Sequence, residues 1–156
     1  MKTYSFKQTQ LVPSDIKTVW DFFATPANLS KITPTQMRFE TLHATGGPTM
    51  YEGQLISYKV SPFAGWRLRW TTEITVVHEG KYFIDEQRFG PFALWHHQHS
   101  FEAHKGYTLM TDEVTWAVPF GFLGRMANAL VVERQVKTIF AYRSAAIQKL
   151  FPENKI

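Results

Sequence analysis

The 156-residue chain contains no cysteine, so it has no disulfide framework, no thiolate nucleophile and no zinc site built on sulfur. It also lacks an uninterrupted apolar run of membrane-spanning length and the apolar N-terminal stretch of a signal peptide. Its basic and acidic residues, with a formal net charge of +4, are scattered and form no run that follows a phosphate backbone. These absences predict one cytoplasmic domain over residues 1–156 that neither binds nucleic acid nor inserts stably into a membrane.

Sequence signatures of common catalytic and cofactor sites are missing as well. The chain has no Gly-x-Ser-x-Gly elbow, no Walker loop and no dinucleotide-binding fingerprint. We therefore predict no cofactor. Aromatic residues, in contrast, are abundant: 13 Phe, 6 Tyr and 5 Trp. Each ring brings roughly 150–250 Å² of apolar surface, so the rings either crowd a solid core or line a hollow one.

Hydrophobic periodicity predicts an α+β domain. Residues 3–12 suit an edge strand, and Ser14 or Asp15 is positioned to cap a helix that stops before Pro26. A second short helix is predicted over residues 27–32, and the longest helix over residues 122–150. Its apolar arc contains Ala129, Val132, Val136, Ile139, Phe140, Ile147 and Leu150. Between them, a period of two predicts a meander of strands at 37–43, 51–60, 66–77, 81–89, 93–104 and 107–118, with a turn at 62–65 among those that separate them.

Several polar side chains fall on faces that the alternation assigns to the interior. In the strand at 93–104, His97 and His99 share a face with Trp95 and Phe101. In the next strand Asp112 lies among apolar residues, and Arg143 falls inside the apolar arc of the long helix. We expect the hairpin and the helix to bring these groups together, with Asp85 and Gln87 nearby.

The cluster has two interpretations that do not exclude each other. Buried charges are costly unless they are paired, so the groups form a structural network in one interpretation. In the other they are the few polar contacts of an apolar ligand pocket. The pocket hypothesis takes its walls and its polar contacts from one set of candidate ligand-binding residues: Trp66, Trp70, Asp85, Gln87, Trp95, His97, His99, Met110, Asp112, Trp116, Val136, Phe140 and Arg143.

A metal site is an alternative for the same residues. Two histidines at i and i+2 on one strand face reach a single ion, and Asp112 or Asp85 supplies a third ligand. Against it, the sequence shows no third histidine dispersed elsewhere, and strand histidines are more often core or surface residues. The sequence prediction therefore assigns no metal.

Ordered motifs lie along nearly the whole chain, at residues 29–34, 70–74, 85–87, 90–92, 95–101 and 112–116, followed by Pro119. In this order they resemble the SRPBCC superfamily, the START and birch-pollen-allergen-like helix-grip group, and in particular its bacterial polyketide cyclase/dehydrase-like members. The resemblance implies a curved seven-stranded antiparallel sheet wrapped around a long C-terminal helix, with two short helices after the first strand and an apolar cavity between sheet and helix. It implies lipids, polyketides or similar hydrophobic ligands, and it carries over no catalytic set.

Two functions follow as hypotheses. The first is binding or transport of a small hydrophobic ligand, of lipid, polyketide or aromatic type, by a monomer or homodimer. The alternative is a cyclase, dehydratase or hydrolase in which His97 or His99 is the general acid or base and Asp112 orients it. The second requires one imidazole nitrogen within reach of the cavity.

Overall fold

Seven antiparallel strands form one sheet in the computed structural model, which describes residues 1–63 and 65–153, with the backbone alone for residue 63. The spatial order is β1-β7-β6-β5-β4-β3-β2, so β1 and β2 are the edges, as predicted for the first strand. Residue 64 of the predicted turn at 62–65 and residues 154–156 of the predicted domain lie outside the described residues. The strands are β1 (Tyr4–Val12), β2 (Glu40–Ala44), β3 (Leu55–Phe63), β4 (Trp66–His78), β5 (Tyr82–Phe89), β6 (Leu94–His104) and β7 (Tyr107–Ala117).

Two short helical segments follow β1. Helix α1 (Ile16–Phe23) begins at Asp15, whose carboxylate accepts hydrogen bonds from the Thr18 backbone N–H at 3.0 Å and the Thr18 hydroxyl at 2.7 Å. These bonds satisfy a free N–H group of the first turn. The second segment, Pro26–Ile32, is a 3₁₀ helix. Its tighter winding suits a short connector, and a further 3₁₀ turn follows at Thr35–Met37.

The C-terminal helix consists of α2 (Gly121–Ala127), a π-helical turn (Asn128–Val132) and α3 (Glu133–Leu150). Its buried residues recur every four positions through the π turn and then follow the ordinary helical spacing. They are Gly124, Asn128, Val132, Val136, Phe140, Arg143 and Ile147. Ala129 and Leu150 are exposed, so their predicted place in the apolar arc is wrong. A π turn contains more residues than an α turn, which shifts the buried face away from the arc expected for a uniform α-helix.

The predicted strand at 51–60 begins later than expected, at Leu55. Gly53 has φ +86° and donates its N–H to the Ile74 carbonyl oxygen at 2.8 Å, which places a turn where the alternation indicated a strand. A left-handed φ is unfavourable for residues with a side chain and suits glycine. Gln54, the next residue, is fully buried and donates from Nε2 to the Thr45 carbonyl oxygen at 2.9 Å.

Side chains of the first strand bind the backbone of the last helix. Gln8 donates from Nε2 to the Phe140 carbonyl oxygen at 3.3 Å, and Gln10 donates to the Ser144 carbonyl oxygen at 2.9 Å. The helix is thereby held across the sheet near β1 and β7. The seven-stranded antiparallel sheet and the long C-terminal helix confirm the predicted α+β helix-grip class. None of the described helices is long and apolar enough to cross a membrane.

Gly124 tests how closely the C-terminal helix packs on the preceding loop. A Cβ atom at this position would lie 1.8 Å from the Pro119 carbonyl oxygen, so backbone must move to accommodate it. We expect Gly124→Ala to lower the free energy of unfolding by about 1–3 kcal/mol, the cost typical of overpacking. Gly47→Ala is the control, because nothing lies within 4 Å of its added Cβ. Urea unfolding of both variants measures the difference, and equal stabilities would contradict the close packing.

Candidate functional site

A cavity of about 170 Å³ lies between the sheet, the 3₁₀ segments and the C-terminal helix. Most of its wall is apolar, and a few polar side chains face it from β4, β5, β6 and α3. The lining residues are Phe22, Phe23, Thr25, Pro26, Asn28, Leu29, Ile32, Thr33, Met37, Phe39, Met50, Ile56, Tyr58, Val60, Trp70, Thr72, Ile74, Phe83, Asp85, Trp95, His97, His99, Val136, Ile139, Phe140 and Arg143.

The predicted ligand-binding residues divide into two groups. Those that line the cavity are Trp70, Asp85, Trp95, His97, His99, Val136, Phe140 and Arg143. The remaining ones, Trp66, Gln87, Met110, Asp112 and Trp116, are not part of its wall. Their positions in the fold explain why.

Trp66 is 75% exposed, so its predicted inward position is wrong. It is the first residue of β4, beside a register shift between Val60 and Phe63 of β3, where Arg67 and Arg69 on the other face are exposed too. At this end of β4, side chains on both faces of the strand are therefore exposed. Alternation along β4 assigns Trp70, Thr72 and Ile74 correctly to the inner face of the sheet. It does not predict where along the strand that face ceases to be covered by other residues.

The other residues outside the wall hold the structure behind it. Gln87 donates from Nε2 to the Phe92 carbonyl oxygen at 2.7 Å and accepts from the Phe92 N–H at 3.3 Å, which closes the β5–β6 turn. Met110 belongs to the core cluster that packs around Trp20. Trp116 packs in a second cluster and donates its indole N–H to Asn128 Oδ1 at 2.7 Å.

About two thirds of the residues that line the cavity were not among the predicted ligand-binding residues. Ile56, Tyr58 and Val60 line the cavity from alternate positions of β3. This alternation is visible in the sequence, but the predicted set of ligand-binding residues did not include β3. The contributions of Leu29, Ile32 and Met37 come from 3₁₀ segments, whose short length gives no reliable periodicity. Phe22 and Phe23 of α1 also line the cavity, although neither was among the predicted ligand-binding residues.

The polar part of the site is a buried cluster in which two imidazoles lie between two carboxylates. His97 Nε2 is 2.8 Å from Asp112 Oδ1, and His97 Nδ1 is 3.4 Å from Asp85 Oδ2. His99 Nε2 is 3.0 Å from Asp85 Oδ2, and His99 Nδ1 is 3.0 Å from Asp112 Oδ1. Arg143 Nη1 donates to Asp112 Oδ1 at 3.2 Å. Asp112 thus lies behind both rings and connects them to the helix.

Strand register produces this arrangement. Asp85 of β5 lies opposite His97 of β6, and His99 of β6 lies opposite Asp112 of β7. Side chains two residues apart on a strand share a face, so both histidines point to the side on which Arg143 of α3 is buried. The ring centroids of His97 and His99 are 3.7 Å apart.

Burial and neighbouring charges shift the pKa values of these groups in opposite directions. Burial, together with the nearby charge of His99, lowers the pKa of His97 to about 4. Burial also disfavours the charged form of His99, but the carboxylates of Asp112 and Asp85 outweigh it and raise the pKa of His99. Contacts with the two histidines and Arg143 overcome burial and hold the pKa of Asp85 low and that of Asp112 well below its usual range. Both carboxylates are therefore ionised.

Three buried N–H or ring nitrogen groups at the cavity have no hydrogen-bond partner within the described part of the chain. They are Trp70 Nε1, Arg143 Nε and His99 Nδ1, whose 3.0 Å contact with Asp112 is too poorly aligned to be a hydrogen bond. A buried donor without an acceptor costs roughly 1–3 kcal/mol. The wall of the cavity therefore contains unmet hydrogen-bonding capacity.

A family model described as polyketide cyclase / dehydrase and lipid transport matches residues 12–140. The chain belongs to this family, and its predicted place in the SRPBCC superfamily is confirmed. Family membership and fold together define a hydrophobic ligand-binding fold. No curated protein matches the sequence.

Solved structures share the fold at low sequence identity. The Zhui aromatase/cyclase from Streptomyces sp. R1128 has a TM-score of 0.68 and 14% identity, covering 99% of this chain and 100% of its own. Ginseng major latex-like protein 151 from Panax ginseng has a TM-score of 0.68 and 11% identity, covering 96% and 98%. Protein CV1439 from Chromobacterium violaceum has a TM-score of 0.72 and 11% identity, covering 97% and 99%. At these identities the likeness shows the fold alone.

Asp112 provides a direct test of the buried cluster. Replacing it with asparagine removes the negative charge that faces Arg143 and His97, so we expect Asp112→Asn to lower the free energy of unfolding at pH 7 by about 3–5 kcal/mol. Glu113→Gln is the control, because the neighbouring Glu113 forms an exposed ion pair with Lys7, and such pairs contribute about 0–1 kcal/mol. Urea unfolding measures both. A loss for Asp112→Asn no larger than that of the control would show that the cluster is not held by charge.

Proposed function

We propose that the chain binds a small, mostly apolar ligand, of the size of one or two aromatic rings, that carries at least one hydrogen-bond acceptor. The observation that carries the proposal is an apolar cavity lined by two residues, Trp70 and Arg143, whose buried Nε1 and Nε donors have no partner. Ligand pockets are typically apolar with a few placed polar groups.

The size of the cavity supports a small ligand. Its volume of about 170 Å³ is below the roughly 300–1,000 Å³ of pockets that enclose drug-sized molecules. It is close to the ~150 Å³ of an engineered apolar cavity that takes up benzene. Among the lipid, polyketide and aromatic ligands expected from the sequence, the aromatic class therefore fits the cavity in its present form best.

The donors favour a ligand with an acceptor oxygen. Trp70 packs edge-to-face against Trp95, with ring centroids 5.2 Å apart, so the two indoles form an apolar wall with one buried unpaired N–H group. Arg143 is 8% exposed, and its Nη1 already binds Asp112. A carbonyl, phenol or carboxylate oxygen would satisfy Trp70 Nε1 or Arg143 Nε without disturbing that pair.

The arrangement of the histidines supports binding over general acid–base chemistry. A general base needs a ring nitrogen within hydrogen-bond reach of the substrate. All four ring nitrogens of His97 and His99 lie within 3.4 Å of a carboxylate oxygen of Asp85 or Asp112. No ring nitrogen of either histidine is therefore available to a substrate without competing with a carboxylate.

Toluene, acetophenone and benzoate each contain one benzene ring, and only the last two carry an acceptor oxygen. Together they separate the apolar from the polar contribution to the binding affinity. We expect acetophenone and benzoate to raise the melting temperature and to bind more tightly than toluene in calorimetric titrations, because only they supply an acceptor. Trp70→Phe removes one N–H group and keeps a ring in place, so acetophenone affinity should fall about 2–10-fold, the equivalent of one hydrogen bond. Toluene affinity should not change.

Trp95→Phe is the matched control for Trp70→Phe, because it shortens a cavity-lining indole whose N–H is not among the buried unpartnered groups. It should affect acetophenone and toluene alike. If none of the three ligands raises the melting temperature of the unmodified protein, the proposal is wrong.

A valine pair on the C-terminal helix tests whether the ligand occupies this cavity. Val136 is buried and lines the cavity, whereas Val131 is half exposed and does not. We expect Val136→Phe to fill part of the cavity and to reduce acetophenone affinity at least about tenfold, and Val131→Phe to leave it unchanged. Calorimetric titration of folded variants measures both affinities. Equal affinities would place the bound molecule elsewhere.

A further inference from the structure

Three candidate metal ligands from two adjacent strands converge at one point of the cavity wall. Asp85 of β5 and His97 and His99 of β6 each present an atom, and these atoms lie within 4.8 Å of one another. His97 and His99 are 4% exposed, and all three residues line the cavity. The convergence is a product of the sheet register, since Asp85 is directly opposite His97 and His99 is on the same face two residues along.

Two of the four close contacts in the cluster are hydrogen bonds. They join His97 Nε2 to Asp112 Oδ1 and His99 Nε2 to Asp85 Oδ2. The other two bring His97 Nδ1 to 3.4 Å from Asp85 Oδ2 and His99 Nδ1 to 3.0 Å from Asp112 Oδ1 without a hydrogen bond. Both rings thus present one nitrogen to Asp85.

The candidate ligand atoms lie on the side of the two rings that faces Asp85. There His97 Nδ1 and His99 Nε2 lie 3.4 and 3.0 Å from Asp85 Oδ2. Two ligands bound about 2.1 Å from one tetrahedral ion are separated by about 3.4 Å. Both observed distances are therefore close to the separation of two ligands of one ion.

The opposite side of the His97 ring has the partner that a metal-bound histidine usually has. Such a histidine donates its second ring N–H to a carboxylate or carbonyl oxygen, which fixes its tautomer. Asp112 Oδ1 lies 2.8 Å from His97 Nε2 and 3.0 Å from His99 Nδ1, and Arg143 balances its charge.

We propose that Asp85, His97 and His99 bind one divalent transition-metal ion, with Asp112 as the carboxylate that orients the His97 imidazole. Two nitrogens and one carboxylate oxygen suit zinc, iron or a similar first-row ion better than calcium or magnesium, which prefer oxygen ligands. Since three protein ligands leave at least one position of the ion open, and the three residues line the cavity, the open position faces it. This inference does not depend on the proposed aromatic ligand.

The site is tested with Zn²⁺ alone, titrated into the tag-free protein after chelator treatment. We expect calorimetry and elemental analysis after dialysis to give one Zn²⁺ per chain. Loss of an outer-shell partner costs about 10–100-fold in metal affinity, so loss of a ligand in His99→Ala or Asp85→Asn should cost at least about 100-fold. His96→Ala is the matched control, because His96 is adjacent in β6, half exposed and paired with Glu86 on the other face. It should retain full affinity.

Folding of each variant is checked by circular dichroism, and Asp85→Asn, which preserves side-chain size, remains informative if a histidine variant unfolds. An anomalous-difference peak between Asp85, His97 and His99 in crystals grown with Zn²⁺ would locate the ion directly. Failure of the unmodified protein to bind Zn²⁺, equal binding by folded Asp85→Asn, or a peak at surface histidines would overturn the proposal. Binding of toluene or acetophenone is measured separately, so failure of one proposal is distinguishable from failure of the other.

Discussion

The carboxylate of Asp112 is the point at which the sheet and the C-terminal helix are joined by charge. It contacts His97 of the neighbouring strand and Arg143, which lies 31 residues further along the chain. A buried carboxylate is tolerated only when such partners are present. A slip of β6 by one residue would turn His97 outward and bring His96 toward the interior. Correct register and correct helix placement are therefore needed together.

The cavity follows from the same constraint. Arg143 must reach Asp112 from the helix, so α3 crosses the sheet where β5 and β6 carry Asp85, His97 and His99. Aromatic side chains such as Phe83, stacked on His99 at 4.1 Å, and Phe140, at 5.4 Å from His97, fill the space around the polar groups. About a third of the aromatic residues line the cavity, and its wall contains a polar part and an apolar part.

Sequence alone was sufficient for the features that depend on periodicity. Alternation in β6 and β7 placed His97, His99 and Asp112 on the inner face, and helical spacing placed Arg143 with them. Features that depend on local departures from periodicity were not predictable in this way. The π turn at Asn128–Val132 moved Ala129 to the surface, and the end of the covered sheet region left Trp66 exposed. Both result from tertiary packing, which has no counterpart in a repeating pattern.

Pairing of β1 with β7 has a consequence for the order of events during synthesis. Tyr4 lies opposite Trp116, and Gln8 and Gln10 bind the backbone of residues more than 130 positions later. The first strand of this sheet to leave the ribosome is therefore among the last of its strands able to find all its partners, because non-local contacts form only after both segments exist. β1 is rich in polar residues, with Lys7 between Ser5 and Gln8. Such a strand suits an edge that stays unpaired during this interval, because polar and charged side chains discourage pairing with other chains.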